Sequence, residues 1–447
     1  MRETYPVEIL NTRRVQIDYT QDQKRALLAI EFFLKSNETF FLLSGNAGTG
    51  KTTIAENVAL FAEATMLAPT NAAVKRLKDK LMHKKIPNER FKTLHQILYG
   101  HPDPDTGEFL KGKDKGFNKN QVYIIDESSM IDLKVMDDII EEALKKRAKI
   151  IFMGDDFQLE PVGKDPKLFE WENSTLEKAN FQSLQRVKLN EVRRNDGSIL
   201  KIATHLRQCK GVEILNINAP DFSFVKKFSS KILTDIREDR SYAILVATNK
   251  DRIKYNQSVR KVKYGNESVQ PILENERLMS VANELFTNGE QYTITRPCIN
   301  KRLDLNINVG SRNYPKLKDV TIFLVTHGVV GKKDNFKTVF IPDLDLPSLH
   351  AFQLMSNKKV FYNPWMTEHD KRIGRTRIWK PKVNIATYGY TVSVHKSQGN
   401  EWDNIYIDCS WLSPAWNKAR WMYTAITRAK KRVELKLSSQ FKIVKEK

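Results

Sequence analysis

What this chain lacks sets the first limits. Among 447 residues there are three cysteines, Cys209, Cys298 and Cys409, far apart and with no C-x-x-C pair. That excludes a zinc ribbon and a disulfide framework, and a reducing compartment is expected. No run is long and apolar enough to span a membrane, so no membrane partner is expected. The opening MRETYPVEIL lacks the uninterrupted apolar core of a signal peptide, which predicts a soluble, cytoplasmic protein. No internal repeat or low-complexity tract stands out. His95 and His395 have no ligand-spaced partners, so hydrogen-bonding roles are expected of them rather than metal ligation. Negative charge is also short: 53 Asp and Glu stand against 74 Lys and Arg, a formal net charge of +21. An excess of this sign and size points to a polyanionic partner, nucleic acid before others. The length suggests roughly three domains, with enough chain for more than one core.

What is present centres on GNAGTGKT, Gly45 to Thr52. The apolar run Phe40 to Leu43 before it reads as a buried strand, and the segment after it, Thr53 to Glu63, as a helix. Strand, glycine loop and helix in this order make G-x-x-x-x-G-K-[ST] a P-loop. Gly45, Gly48 and Gly50 let the backbone curl, so that N–H groups of Asn46, Ala47, Thr49 and their neighbours face a phosphate. The helix N-terminus, with Thr53 in its first turn, adds its positive dipole end. Lys51 is assigned to the β- and γ-phosphates and Thr52 to Mg²⁺. The expected ligand is a nucleoside triphosphate with Mg²⁺.

Upstream, Thr20 and Gln23 have the spacing of a capping box, followed by Ala26, Leu27, Ile30, Phe33 and Leu34 at helical period. Gln23 is read either as that cap or as a residue that recognises the adenine edge. TMLAPT, Thr65 to Thr70, reads as a strand ending in a polar loop, and NAAVKRLKDKL as a basic helix. TLHQIL is a further helical piece. Tyr99 to Lys119 is polar and basic, with turn chemistry at Pro104 to Gly107. It reads as a protruding hairpin with Phe109 as a wedge near its tip, or as a surface loop. QVYIIDESSM is a buried strand ending in Asp126, a metal-holding carboxylate, and Glu127, which can orient or deprotonate water. KIIFMGDDFQLEPVG is the next strand and exit loop, where Asp155 and Gln158 emerge at one edge. The Gln158 amide can sense a γ-phosphate or a water.

A second α/β stretch begins at LNEVRRND, with Arg193 and Arg194, and runs through the strand SYAILVATN. Its Thr248 to Asp251 is an N-K-x-D-like tetrad with the aspartate one place early, and is discounted as a guanine reader. From Lys261 to Val383 short alternating runs predict a small β-barrel, with Asn288-Gly289 and His327-Gly328 as turns. A basic, aromatic helical stretch follows around Phe352 to Trp379. The α/β pattern resumes at Asn384 and ends with WMYTAITRAKKRVELKL, read as a helix that contains Arg428. An arginine offered to a P-loop site stabilises transition-state charge, as arginine fingers do.

In chain order these pieces resemble the superfamily 1 helicases, above all the RecD-like 5′-to-3′ branch and the phage Dda helicases within it. Gln23 matches the Q motif, GNAGTGKT motif I, APTNAAVKRL motif Ia and TLHQIL motif Ib. DESSM resembles motif II, and GDDFQLEPVG motif III. LNEVRRND resembles motif IV, YTVSVHKSQGNEWD motif V and YTAITRAKKR motif VI. The LEPVG after Gln158 is close to the QLPPVG of this branch, with Glu160 in place of the commoner proline.

The resemblance implies an α/β fold of two RecA-like P-loop NTPase domains with a small pin insertion and a β-rich SH3-like insertion. Residues 1–98 and 120–188 would form the first domain, and 99–119 the pin. Residues 189–260 and 384–447 would form the second domain, and 261–383 the barrel with its helical addition. It implies catalytic roles for Lys51, Asp126, Glu127, Gln158, Arg194 and Arg428. Single-stranded DNA contacts would come from Pro69, Thr70, Thr93, His95, Phe109, Asn249, Ser393 and His395. The expected activity is ATP-dependent, 5′-to-3′ translocation on single-stranded DNA with separation of forked or tailed duplexes. The alternative is a DNA-stimulated translocase that displaces proteins and unwinds little. A non-catalytic binding module conflicts with intact Lys51, Asp126, Glu127 and Arg428. Single-strand-binding or replisome proteins are the expected protein partners of a monomeric enzyme. A phage origin would put the work in the host cytoplasm, in replication or recombination.

Overall fold

The computed structural model describes residues 19–81, 86–99, 115–159, 185–191, 197–209, 213–217, 219–282, 290–307, 317–342, 384–413 and 416–445. Phe109 with most of the expected pin, Arg194, Glu160, Asn288-Gly289 and the stretch Phe352 to Trp379 lie outside them. The described residues divide into two compact units. Those up to 209 together with 417–427 form the first, and those from 213 to 416 and from 428 onward form the second.

The first unit begins with helix α1 (Gln21–Lys35), started by the reciprocal capping box of Thr20 and Gln23. Its buried stripe of Ala26, Leu27, Ile30 and Phe33 faces a parallel sheet. The strands are β1 (Phe40–Gly45), β2 (Thr65–Ala68), β3 (Phe91–Thr93), β4 (Val122–Ile125), β5 (Lys149–Gly154) and β6 (Gln185–Leu189), in the spatial order β3-β2-β4-β5-β1-β6. Every pairing is parallel. Strands covered on both faces have no polar side, so β1 reads FFLLSG with all six residues buried. The helices are α2 (Lys51–Phe61), α3 (Asn71–Leu81), α4 (Leu94–Leu98), α5 (Leu133–Lys146) and α6 (Ser198–Gln208). A last helix, α10 (Lys418–Ile426), joins this unit from more than two hundred residues downstream and packs on α6.

The second unit pairs β7 (Glu213–Leu215) with β18 (Lys442–Val444) and carries its own parallel sheet of β8 (Phe222–Phe224), β9 (Tyr242–Val246), β15 (Thr391–Ser393), β16 (Trp402–Asp408) and β17 (Ala429–Lys436). Their order is β15-β9-β16-β17-β8. Helices α7 (Ser230–Arg237), α8 (Asn249–Tyr264) and the single turn α9 (Val394–Ser397) accompany it. Between β9 and β15 the chain builds a closed barrel from β10 (Arg277–Ala282), β11 (Gln291–Ile307), β12 (Leu317–Val329), β13 (Phe336–Phe340) and β14 (Asn384–Tyr388). The stretch from Asn384 thus first completes the barrel, and only after Gly389 does the chain enter the parallel sheet. A buried cation anchors the barrel to α8: Arg260 pairs with Glu276 at 3.1 Å and stacks on Tyr388, 4.3 Å from the ring centroid.

Two sequence expectations are corrected here. His327-Gly328 is not a turn: His327 sits in β12 opposite Phe336, 1% exposed, its ring hydrogen-bonded to Thr338 Oγ1 at 2.7 Å. Gly328 serves close packing, because a Cβ there would fall 2.5 Å from Thr295 Oγ1. Arg428 is not helical either. Helix α10 ends at Ile426, where the Thr427 hydroxyl donates back to the carbonyls of Tyr423 and Thr424, and β17 starts at Ala429. Arg428 occupies the turn between them, 3% exposed. The run AKKRVELK becomes a strand because β16 and β8 flank it on both sides.

Candidate active site

Three neighbouring strands of the first sheet, β4, β5 and β1, deliver their carboxyl ends to one edge, where open α/β sheets place ligands. Each carries one of the motifs. After β1, the P-loop curls through Gly48 and Gly50, at φ 84° and 85°, into α2. Gly50 is required on two counts. Its backbone is left-handed, and an added Cβ would lie 2.2 Å from Gln23 Nε2. Gln23, 1% exposed, donates from that nitrogen to the Thr49 carbonyl at 2.9 Å while also serving in the capping box. The cap reading of Gln23 is realised, and the same side chain ties α1 to the loop. Thr49 Oγ1 donates to the Asn46 carbonyl at 2.9 Å, and Lys51 Nζ donates to the carbonyls of Gly45 at 2.6 Å and Asn46 at 2.9 Å. Thr52 and Thr53 follow in the first turn of α2.

After β4, Asp126 and Glu127 are 4% and 5% exposed. Glu127 holds a left-handed backbone, φ 51°, uncommon for a residue with a side chain. Arg76 of α3, not singled out from the sequence, supplies the counter-charge: 2.5 Å to Glu127 Oε1 and 3.7 Å to Asp126 Oδ2. Burial and the Glu127 charge push the Asp126 carboxyl upward, while Arg76 and Lys51 oppose the rise. Among the described residues no group of three or more His, Cys, Asp or Glu could hold a metal by itself. The donor set of one carboxylate and one hydroxyl, Asp126 and Thr52, suits Mg²⁺, which takes few protein ligands and completes its shell with phosphate oxygens and water.

After β5, Asp155 is fully buried. It accepts from Arg207 Nη1 of α6 and from the Tyr423 hydroxyl of α10, each at 2.5 Å. Arg207 also pairs with Asp156, which Lys188 meets at 2.9 Å. Burial would raise the Asp156 carboxyl, but Arg207 and Lys188 outweigh it and hold it below the usual carboxylate range. Arg420 donates to the carbonyls of Asp156 and Gln158, and Leu159 N–H donates to Thr424 Oγ1 at 2.9 Å. The Tyr423 hydroxyl in turn accepts from Ala47 N–H of the P-loop at 3.3 Å. Gln158 is 5% exposed, and its side-chain oxygen has no partner among the described residues. Arg207 and Tyr423 were missed because α6 and α10 carry no sequence link to motif III.

The residues assigned to DNA divide by role. Thr70 Oγ1 accepts from Ala73 N–H, and Thr93 is the capping-box residue of α4, 5% exposed. Pro69 and Thr70 leave the end of β2, and the His95 ring lies 5.4 Å from that of Tyr99. In the second unit, Ser393 stands just before α9, His395 lies within it, and Asn249 opens α8. The discounted tetrad at Thr248 is the α8 cap: its hydroxyl accepts from Asp251 N–H and donates to the Asp251 carboxylate.

Two domain families match parts of the chain. Residues 18–218 match an AAA domain family, and residues 388–435 the UvrD-like helicase C-terminal domain. The RecD subunit of the RecBCD enzyme of Buchnera aphidicola is 24% identical over 92% of this chain and 73% of its own length. The ATP-dependent DNA helicase dda of Enterobacteria phage T4 is 28% identical over 55% of this chain and 57% of its own. An uncharacterized protein of Acanthamoeba polyphaga mimivirus is 25% identical over 93% and 98%. Among solved structures, Pif1 helicase from Bacteroides, in complex with ADP-AlF3 and single-stranded DNA, aligns over 96% of this chain and 95% of its own. Its TM-score is 0.51 at 16% identity, a likeness of fold. With an AAA-type first segment, a UvrD-like C-terminal segment behind it and RecD- and Dda-type relatives, the chain is similar to the superfamily 1 helicases of the RecD- and Dda-like branch.

Proposed function

We propose that the protein hydrolyses ATP to move 5′-to-3′ along single-stranded DNA and separate duplexes ahead of it. One observation carries this reading: the P-loop, the Asp126–Glu127 pair and Gln158 leave three adjacent strands at one sheet edge. Lys51, held on the loop's own carbonyls, exchanges them for the β- and γ-phosphates. Asp126 and Thr52 would hold Mg²⁺, which when bound would supply charge neutralisation at the phosphates. Glu127, aimed by Arg76, takes the proton of the attacking water, and the Gln158 oxygen accepts that water's other hydrogen bond. Arg194 and Arg428 are assigned to the phosphates by the family resemblance. Asp155, Arg207 and Tyr423 fix the loop that carries Gln158 and join it to Ala47 of the P-loop, so that loop and nucleotide respond together.

The domain assignment follows the same reading: RecA-like domains at 1–98 with 120–188 and at 189–260 with 384–447, a pin at 99–119 bearing Phe109, and an SH3-like insertion at 261–383. The closed barrel supports that last assignment. The partners are single-stranded and forked DNA, approached through the net charge of +21. No helix among the described residues is long and apolar enough to cross a membrane. The deciding experiment is ATP-driven opening of a duplex with either a 5′ or a 3′ single-stranded tail. Opening of the 5′-tailed substrate alone is expected. Opening of the 3′-tailed one alone overturns the direction. Opening of neither, with DNA-stimulated hydrolysis intact, favours the protein-displacing translocase.

A further inference from the structure

The second sheet is parallel like the first, and its carboxyl edge holds an aromatic cluster whose two tryptophans have no role so far. Three adjacent strands end there: β15 leads to Ser393 and His395, β9 to Thr248 and Asn249, and β16 to the segment Cys409 to Leu412. That last segment is pinned on both sides of Trp411. Ser410 N–H donates to Asp408 Oδ1 at 2.9 Å, and Asp408 is itself gripped by Lys436 at 2.8 Å and by the Tyr255 hydroxyl. Leu412 is fully buried, and both its backbone groups bond the Gln440 amide, at 3.2 and 3.3 Å. Between these anchors the Trp411 side chain is 53% exposed. It meets Trp416 edge-on, ring centroids 6.4 Å apart, and Trp416 meets His395 in the same manner at 5.2 Å. Leaving an indole half in water forfeits apolar burial, and here the backbone is fixed so as to keep it there.

We propose that Trp411 and Trp416, backed by His395, form a base-stacking platform for single-stranded DNA on the second unit. The proposal rests on the helicase reading above and names the aromatic surface that reading requires. Base-on-ring stacking suits a translocating enzyme because every base has a π-face and none is read for sequence. Rings held on a prearranged loop lose little freedom on binding. Ser393 and Asn249, polar residues on the neighbouring strand ends, are placed to take backbone contacts, so that the edge supplies both kinds of grip.

The test compares the full chain with its Trp411→Ala, Trp416→Ala and Trp411→Phe variants. Fluorescence anisotropy reads their affinity for a short dT oligonucleotide and for an abasic strand of equal length. Each alanine variant is expected to weaken dT binding by roughly tenfold or more. Affinity for the abasic strand and the salt dependence of binding stay unchanged, because phosphate contacts are untouched. Trp411→Phe keeps most of the affinity. An equal loss on both strands, or no loss on either, overturns the platform, as does a wild type that binds the two strands alike. A wild type that binds neither strand, with hydrolysis indifferent to DNA, overturns the helicase reading itself. Unchanged thermal midpoints exclude misfolding as the cause.

Discussion

Removing Arg207 probes how the buried end of β5 is held. Asp155 is fully buried, and its carboxylate relies on Arg207, Tyr423 and the Phe157 backbone N–H at 3.1 Å. Breaking a buried ion pair by deleting one partner costs about 3–5 kcal/mol, because a charge stays behind in the interior. The two remaining donors soften that loss, and Arg207 is 11% exposed, so Arg207→Ala is expected to cost about 2–4 kcal/mol. In a unit of about two hundred residues that lowers the thermal midpoint by roughly 5–15 °C. The decisive comparison adds Asp155→Asn to the Arg207→Ala variant. With neither charge present no uncompensated ion remains, and the double variant is expected to recover much of the loss, a coupling of about 2 kcal/mol in the mutant cycle. Circular dichroism melts of the wild type, both single variants and the double one measure it. Strict additivity of the singles, or a fall of less than about 2 °C for Arg207→Ala, would refute the reasoning.

Lys51→Ala should melt like the wild type yet lose DNA-stimulated phosphate release; retained turnover would remove Lys51 from the site. Gly50→Ala meets both a left-handed backbone and Gln23 Nε2 at 2.2 Å, so a destabilisation of about 2–3 kcal/mol is expected in urea titration, against almost none for a surface alanine. In the second unit, burial holds His327 and His395 below the ordinary imidazole range. The folded form then prefers them neutral, so the stability they contribute is complete above about pH 6.5 and is lost as pH falls from there towards their depressed values. Melts across this window should show the decline, and His327→Gln should flatten part of it. Burial also pushes the Cys409 thiol up to about 12, whereas Cys298 is exposed. Thiol labelling at pH 8 should reach Cys298 at once and Cys409 only on unfolding.

Much of the first unit could be read from the chain because its signals are local. The Thr20–Gln23 box, the run FFLLSG and the glycine loop each declare themselves within a few residues, and the structure realises each in place. What escaped depends on partners far away in sequence. AKKRVELK has no apolar period of its own and becomes a strand only because β16 and β8 flank it. His327 looks like a turn residue beside a glycine until the barrel closes and stacks it between Tyr292 and Phe336. Arg76, Arg207 and Tyr423 look like ordinary surface or core residues along their own helices, and acquire meaning only against Asp126, Glu127 and Asp155.

The same division explains why the chemistry was easier to find than the grip on DNA. A phosphate-binding loop must present consecutive backbone N–H groups, which constrains adjacent residues and leaves a contiguous pattern. A stacking surface needs only rings brought to one sheet edge, from whatever strands end there. Trp411 and Trp416 follow β16, whereas His395 follows β15, with β9 between the two strands. No spacing along the chain links them. What links them is the strand order, together with the Asp408 and Gln440 contacts that turn one indole outward. The ATP site is thus written in adjacent residues, whereas the stacking rings come together only through the ends of adjacent parallel strands.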